Sequence, residues 1–369
     1  MTSKRILTIV LCLLGSAYPS GQAQAPPLPP APANPPSPSL QAPNDPGYAA
    51  LIATCKNPPP ARGGGAAAGR GAAVGRGAPP PGPRDYAVTE IPGVISAGQR
   101  WKFIWQEAGN NGDGIVGIDD GGLLVAQNDN SRVVKLDADG HASVVHRDTH
   151  TGGSLSMNSK GALFIAARGL RTAIVQLAPR RAILANRYQD DVLDCIGGTP
   201  NDLTADSKGG VYFTMGGVYY ANAKGLVIKY GGNLAPNGII LSADEKTLYV
   251  TNGPTLAAFD VQPDGSLTGQ REFARLEGGG NGDGSTIDAA GRVYVTTNPG
   301  VQVIGADGRY LGIIPTPRGV ISVAFGGKDK KMLFVLARGA RDANGNDVAN
   351  AAQVYAIQTI AQGYRGRAK

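Results

Sequence analysis

The stretch NDLTADSKGGVYFTM, residues 201–215, opens on side-chain oxygens and runs through a short apolar segment to a polar Asp-Ser-Lys-Gly turn. It then resumes as Val-Tyr-Phe-Thr, β-branched and aromatic. Such a pattern predicts two short strands joined by a tight turn. The unit recurs as DGIVGIDDGGLLVAQN from Asp113, GGSLSMNSKGALFIAAR from Gly152, NGIILSADEKTLYVTN from Asn237, DGSTIDAAGRVYVTT from Asp283 and VISVAFGGKDKKMLFVLAR from Val320. Successive starts lie 39, 49, 36, 46 and 37 residues apart. A strand-built period of just over forty residues is the signature of a propeller with about four strands per blade.

Further turns make the four strands explicit. In the first copy Val133 to Leu136 reads as a third strand, Asp137-Ala-Asp-Gly140 as a turn and Ala142 to Val145 as a fourth strand; comparable turns fall at Asn222 to Gly225, Pro263-Asp-Gly265 and Ala306-Asp-Gly308. Glycine there supplies the positive φ of tight hairpins. The sixth copy runs out after its third strand, Gln353 to Ile357, while an orphan strand pattern, Trp101 to Trp105, precedes the first copy. The expected fold is therefore all-β: a six-bladed β-propeller with four-stranded blades, closed by an N-terminal outer strand. Closure by both ends removes a ragged seam.

Outward from the repeat, composition separates the chain into parts. Of 369 residues 54 are glycine and 27 proline; 17 prolines fall within 26–85, whereas 43 glycines lie in 86–369. Proline marks a tail and glycine the folded part. The net charge of +7 divides likewise, with +2 in residues 1–25, +3 in 26–85 and only +2 in the remainder. A near-neutral body argues against a nucleic-acid partner.

Residues 1–25 have a charged start (Lys4, Arg5), an apolar run from Ile6 to Leu14 and a small-x-small end at Ala23-Gln24-Ala25. This reads as a secretory signal too short to remain as a transmembrane anchor, so a periplasmic or secreted protein is expected. Residues 26–85 read as a disordered Pro/Ala/Gly-rich linker in which only Tyr48 to Cys55 has the makings of a docking segment, and residues 86–369 as the propeller. Once Cys12 leaves with the signal, Cys55 and Cys195 remain; a disulfide and two separate thiols both fit an oxidising compartment.

First strands of a propeller line the central channel, so the starts of the copies converge at one mouth. Four of them carry oxygen donors: Asp113, Asn201 with Asp202, Asn237, and Asp283. Carboxylates and amides in a ring suit one hard divalent cation and disfavour zinc or copper. The histidines His141, His146 and His150 follow the first copy on or beside an outer strand, where a solvated edge is expected. No nucleophile elbow is present, and the glycine run from Gly278 to Gly284 leads into a strand, unlike a phosphate loop.

Taken in order, GTPNDLTADSKGGVYFT, APNGIILSADEKTLYVTN and NGDGSTIDAAGRVYVTT resemble successive signatures of the SMP-30/gluconolactonase/LRE-like family over roughly residues 100–360. The resemblance implies a six-bladed propeller holding one divalent metal, usually calcium, and hydrolysing a small-molecule lactone or related ester. It assigns Asp113, Asn201, Asn237 and Asp283 as metal ligands, Asn201 also as a substrate contact, and Asp283 as the base, with Asp202 as second choice. The chain departs from the family pattern at one of these positions and at two places beside them. Asp113 stands where Glu is usual, Thr199 replaces an Arg two residues before Asn201, and Ala167-Arg168 replaces an acidic Glu-His-like end. These changes point away from polyhydroxylated sugar lactones. A monomer is expected, and a propeller that only binds a ligand or protein, strictosidine-synthase-like or NHL-like, is the alternative.

Overall fold

The computed structural model describes residues 41–59, 84–107, 112–278, 280–342 and 344–369. The expected signal segment and most of the expected linker lie outside the described residues. Six four-stranded antiparallel sheets surround a central axis as a six-bladed β-propeller. Blades 1 to 5 occupy 112–147, 155–185, 203–230, 236–275 and 285–315, each in sequential strand order.

Blade 6 has the expected composite closure. Its three inner strands are Val320–Gly326, Met332–Arg341 and Asp347–Gln358, and its outer strand is Lys102–Glu107. Phe103 pairs with Tyr355 and Gln106 with Gln353 in an antiparallel ladder. The hairpin glycines behave as their Asp-Gly and Lys-Gly contexts require: Gly140, Gly225, Gly265 and Gly308 all have φ between 81° and 87°.

The apolar runs are continuous because each sheet is covered on both faces. Alternate side chains of a strand point to opposite neighbours: Ile165 packs toward blade 1 with Val116 and Leu124, whereas Phe164 packs toward blade 3 with Leu203 and Phe213. Every junction between adjacent blades holds such a cluster. At the 5/6 junction, residues ahead of the outer strand complete the cluster: Val88, Ile91, Val94, Ile95 and Trp101 bury against Val301, Ile314 and Val335. Tyr86 packs against this core from outside, and its hydroxyl accepts the Trp101 N–H at 2.9 Å.

Two further segments frame the axis. Residues 359–369 cross the channel floor, bridging Gly363 to Asp288 of blade 5 and Ala368 to Met157 of blade 2. Arg367 is buried beside the Leu241 and Ser242 carbonyls, and the Lys369 ammonium enters the channel. The other is a strap, residues 41–59, with a one-turn helix at Tyr48–Ile52. This part of the expected linker is ordered, which corrects that expectation at 41–59. Three attachments explain the order. Cys55 and Cys195 are joined in a disulfide with Cα atoms 5.7 Å apart, the Asp191 carboxylate accepts the Lys56 and Asn57 N–H groups at 2.8 and 2.9 Å, and Ala42 is buried with its N–H on the Arg168 carbonyl at 2.7 Å. Low-complexity composition alone does not reveal these attachments.

Candidate metal and hydrolase site

Each donor is placed by the strand that follows it and by the neighbouring blade. Asp283 precedes the inner strand Ser285–Ile287; its N–H is held by the Thr296 carbonyl at 2.9 Å and its carbonyl receives the Thr251 hydroxyl at 3.3 Å. Asn237 is set the same way, its carbonyl taking the Thr214 hydroxyl at 2.6 Å. The second-strand threonine of one blade thus fixes the donor of the next. The glycine after a donor has a separate task. A Cβ at Gly238 would collide with the Asp283 carbonyl, and one at Gly114 would come within 2.6 Å of the Leu155 nitrogen. These two glycines let inner strands approach backbone to backbone.

The structure brings the four expected ligands into one cluster. The Asn201 amide donates to Asn237 Oδ1 at 2.6 Å. Asp113 is ion-paired to the Arg168 guanidinium, which also donates to the Asn201 carbonyl and lies 3.5 Å from Asn201 Oδ1. Asp283 is pushed up to about 7, first by burial and then by the negative charge of Asp113; Arg338, 3.7 Å away, acts in the opposite sense.

Asp202 lies deeper. Its Oδ1 accepts from Ser154 Oγ and from the Leu203 N–H, and its Oδ2 from the Ile239 N–H at 3.0 Å and from the Lys369 ammonium. Three neutral donors and the Lys369 ammonium thus occupy both its oxygens on the channel floor. Burial pushes the Lys369 ammonium down from its ordinary value, with Asp202 opposing.

Of the histidines, His141 sits exposed at the outer hairpin of blade 1 with its ring 3.2 Å from Asp137. Asp137, Asp139 and His141 form an exposed group of possible ligands apart from the mouth. His146 lies on the outer strand Ala142–Arg147, where desolvation and Arg181 lower its pKa.

Three cations in and beneath the mouth escape a search for donors at strand starts: Arg168, Arg338 and Lys369. A signal for the first two exists, since the second-strand segments FIAAR and FVLAR end alike in Ala-Arg, a pair that the second strands of blades 3 to 5 lack. The donor set nevertheless fits a hard divalent cation. Its four side chains offer oxygen, and the two carboxylates among them, Asp113 and Asp283, lie close enough for the charge of one to raise the other.

A family profile described as the SMP-30/gluconolactonase/LRE-like region matches residues 112–338, which takes in all four donors. The chain belongs to this family. Among relatives, a gluconolactonase of Zymomonas mobilis subsp. mobilis is 26% identical over 217 residues, 50% of this chain and 60% of the relative. A lactonohydrolase of Aspergillus oryzae is 28% identical over 131 residues, 28% of each. The chain therefore matches less than two thirds of the length of these relatives. Among solved structures, a gluconolactonase from Xanthomonas campestris has a TM-score of 0.60 at 22% identity, covering 77% of this chain and 98% of that one. A calcium-binding regucalcin from Agrobacterium tumefaciens has a TM-score of 0.54 at 20% identity, covering 69% and 93%. These structures share the six-bladed fold.

Proposed function

We propose that this SMP-30/gluconolactonase/LRE-like propeller is a metal-dependent hydrolase of lactones or related esters, working in the periplasm or outside the cell. The observation that carries the reading is the convergence of Asp113, Asn201, Asn237 and Asp283 from four blades on one mouth. Calcium is the cation proposed, held by these four side chains. When bound, it would polarise the substrate carbonyl and stabilise the negative charge that develops on its oxygen.

The chain's own part is to orient and to move a proton. Asn201 and Asn237, tied to each other and to strand backbone, hold fixed amides against the substrate. Asp283 accepts the proton of the attacking water as the water oxygen bonds to the carbonyl carbon; the ring oxygen leaves with a proton, and a hydroxy acid results. Calcium held by Asp283 would keep it in the carboxylate form that a base requires. Asp202 fits it less well because both its oxygens are occupied, one of them by the Lys369 ammonium. Lys369 and the floor segment close the channel behind it, which leaves the mouth as the route of approach. Export is supported by the Cys55–Cys195 disulfide, and no helix among the described residues is long and apolar enough to cross a membrane.

The test is calorimetric titration of EDTA-treated protein with calcium, followed by a panel of lactones and aryl esters. One calcium per chain and calcium-dependent lactone opening, both impaired in Asp283→Asn, are expected. Absence of calcium binding would overturn the reading in favour of a ligand-binding propeller, and full activity of Asp283→Asn with the metal retained would refute Asp283 as the base.

A further inference from the structure

The donors precede first strands, so in an antiparallel blade the loops after second strands and the connections between blades lie on the donor side of the ring. Two such segments of blade 2 meet beside the strap: the loop 168–172, which follows the strand Leu163–Ala167, and the turn Leu193–Ile196. The Asp194 carboxylate ties them together. It is buried, and its Oδ1 accepts the Arg171 N–H at 3.1 Å and the Thr172 hydroxyl at 3.2 Å. Arg171 needs that support, because it holds a φ of 68°, costly for any residue but glycine. The strap touches both segments. Its Ala42 N–H caps the Arg168 carbonyl, a Cβ at Gly47 would stand 3.1 Å from Leu170 Cδ2, and Cys55 is bonded to Cys195, next to Asp194.

The strap's non-covalent hold is thin. Of residues 41–59 only Ala42 is buried, the helix Tyr48–Ile52 buries nothing, and the bonds from Lys56 and Asn57 to Asp190 and Asp191 are exposed. One helical turn is not stable alone, and exposed ion pairs contribute little. The crosslink is the strap's strongest attachment. Its Cys55 end is partly exposed, whereas Cys195 is buried.

Building on the hydrolase reading, we infer that the strap is a positioning element of the mouth, latched by Cys55–Cys195. With the crosslink closed it fixes the loop 168–172 and, through it, the Arg168 guanidinium that holds Asp113 and the Asn201 carbonyl. Opening the crosslink frees the strap and loosens that one sector while the ring stays folded. A dithiol opens it by exchange. One thiolate bonds to the accessible Cys55 sulfur and Cys195 leaves as a thiolate; the second thiolate then displaces Cys55, so that the dithiol ends as a cyclic disulfide and the two cysteines take up two protons.

Amide hydrogen exchange, read by mass spectrometry, compares full-length protein in three states: oxidised, reduced with dithiothreitol, and reoxidised. On reduction, exchange at 168–172 and 193–197 is expected to quicken at least about tenfold and to change less than about twofold at the corresponding loop 297–299 of blade 5; reoxidation should restore it. Cys55→Ser should behave as the reduced protein does. Asp194→Ala should loosen 168–172 with the crosslink intact, and Asp194→Asn, which keeps the accepting oxygen, should restore it; circular dichroism confirms that the variants fold. A lactone opened by the oxidised protein should be turned over at least about tenfold more slowly after reduction. Unchanged exchange at 168–172, an equal rise around the whole ring, or undiminished lactone turnover after reduction overturns the inference. Local loosening on reduction, with no lactone opened in either state, upholds the positioning of the mouth by the strap and refutes the hydrolase reading alone.

Discussion

Removing the outer strand of blade 6 should cost the protein its fold, whereas removing the strap should only weaken it. A chain beginning at Gly112 lacks Lys102–Glu107 and also Val88, Ile91, Val94, Ile95 and Trp101, which are at most 6% exposed in the 5/6 junction. At about 1.5–3 kcal/mol per buried large side chain, the five together are worth about 10 kcal/mol, comparable with the whole stability of a typical domain. The loss also bares the strand Asp347–Gln358 as a long unpaired edge, a template for aggregation. A chain beginning at Arg84 keeps all of this and loses the strap with its disulfide. That crosslink spans 140 residues, so the chain-entropy estimate sets its contribution at about 5 kcal/mol at most. Thermal melts followed by circular dichroism, with size-exclusion chromatography, distinguish the cases. The Arg84 chain should melt cooperatively as a monomer, lowered by no more than about 10–20 °C at roughly 2–4 °C per kcal/mol, and the Gly112 chain should show no cooperative transition. If the two chains melted within about 5 °C of each other, the closure argument would be refuted.

Three other perturbations probe the mouth and the floor. Because Asp283 holds its proton up to about pH 7, calcium must expel that proton under acidic conditions. Apparent affinity should therefore rise with pH toward 7 and flatten above it, with proton release read by calorimetry in buffers of different ionisation heat; pH-independent affinity would refute this. The same raised pKa means that, without metal, this group favours the folded state at low pH and loses that contribution as pH climbs from about 3.9 through 7. Lys369→Met strands the Asp202 carboxylate on the channel floor and should destabilise by about 3–5 kcal/mol in chemical denaturation. Gly153→Ala displaces the Arg168 guanidinium from Asp113 and should lower stability by about 1–3 kcal/mol without calcium, with calcium raising the melting temperature more than in the parent.

Much of the architecture was legible because the propeller repeats its chemistry. Strand alternation, Asp-Gly turns at Gly265 and Gly308, and the unpaired Trp101 to Trp105 run each state a local requirement, and together they specify blade count and closure. The donors were legible for the same reason, since equivalent positions converge by symmetry. Arg168, Arg338 and Lys369 were not, because each breaks the repeat or reaches across it; their partners lie 55, 55 and 167 residues away at Asp113, Asp283 and Asp202. The strap was half-visible. Tyr48 to Cys55 stood out against the low-complexity tail, but the choice between a disulfide and separate thiols depends on where the η-turn at Leu193–Ile196 holds Cys195.

The two ends of the chain meet in the last blade and on the channel floor, and this bears on when the molecule can finish folding. While residues 347–369 are still unmade, the ring is an arc: Lys102–Glu107 has no partner strand, and Asp202 has no counter-ion beneath it. A nascent chain of this design cannot lock shut before those residues emerge. It stays open until residues 347–369 have been made, and the Cys55–Cys195 crosslink needs an oxidant to form.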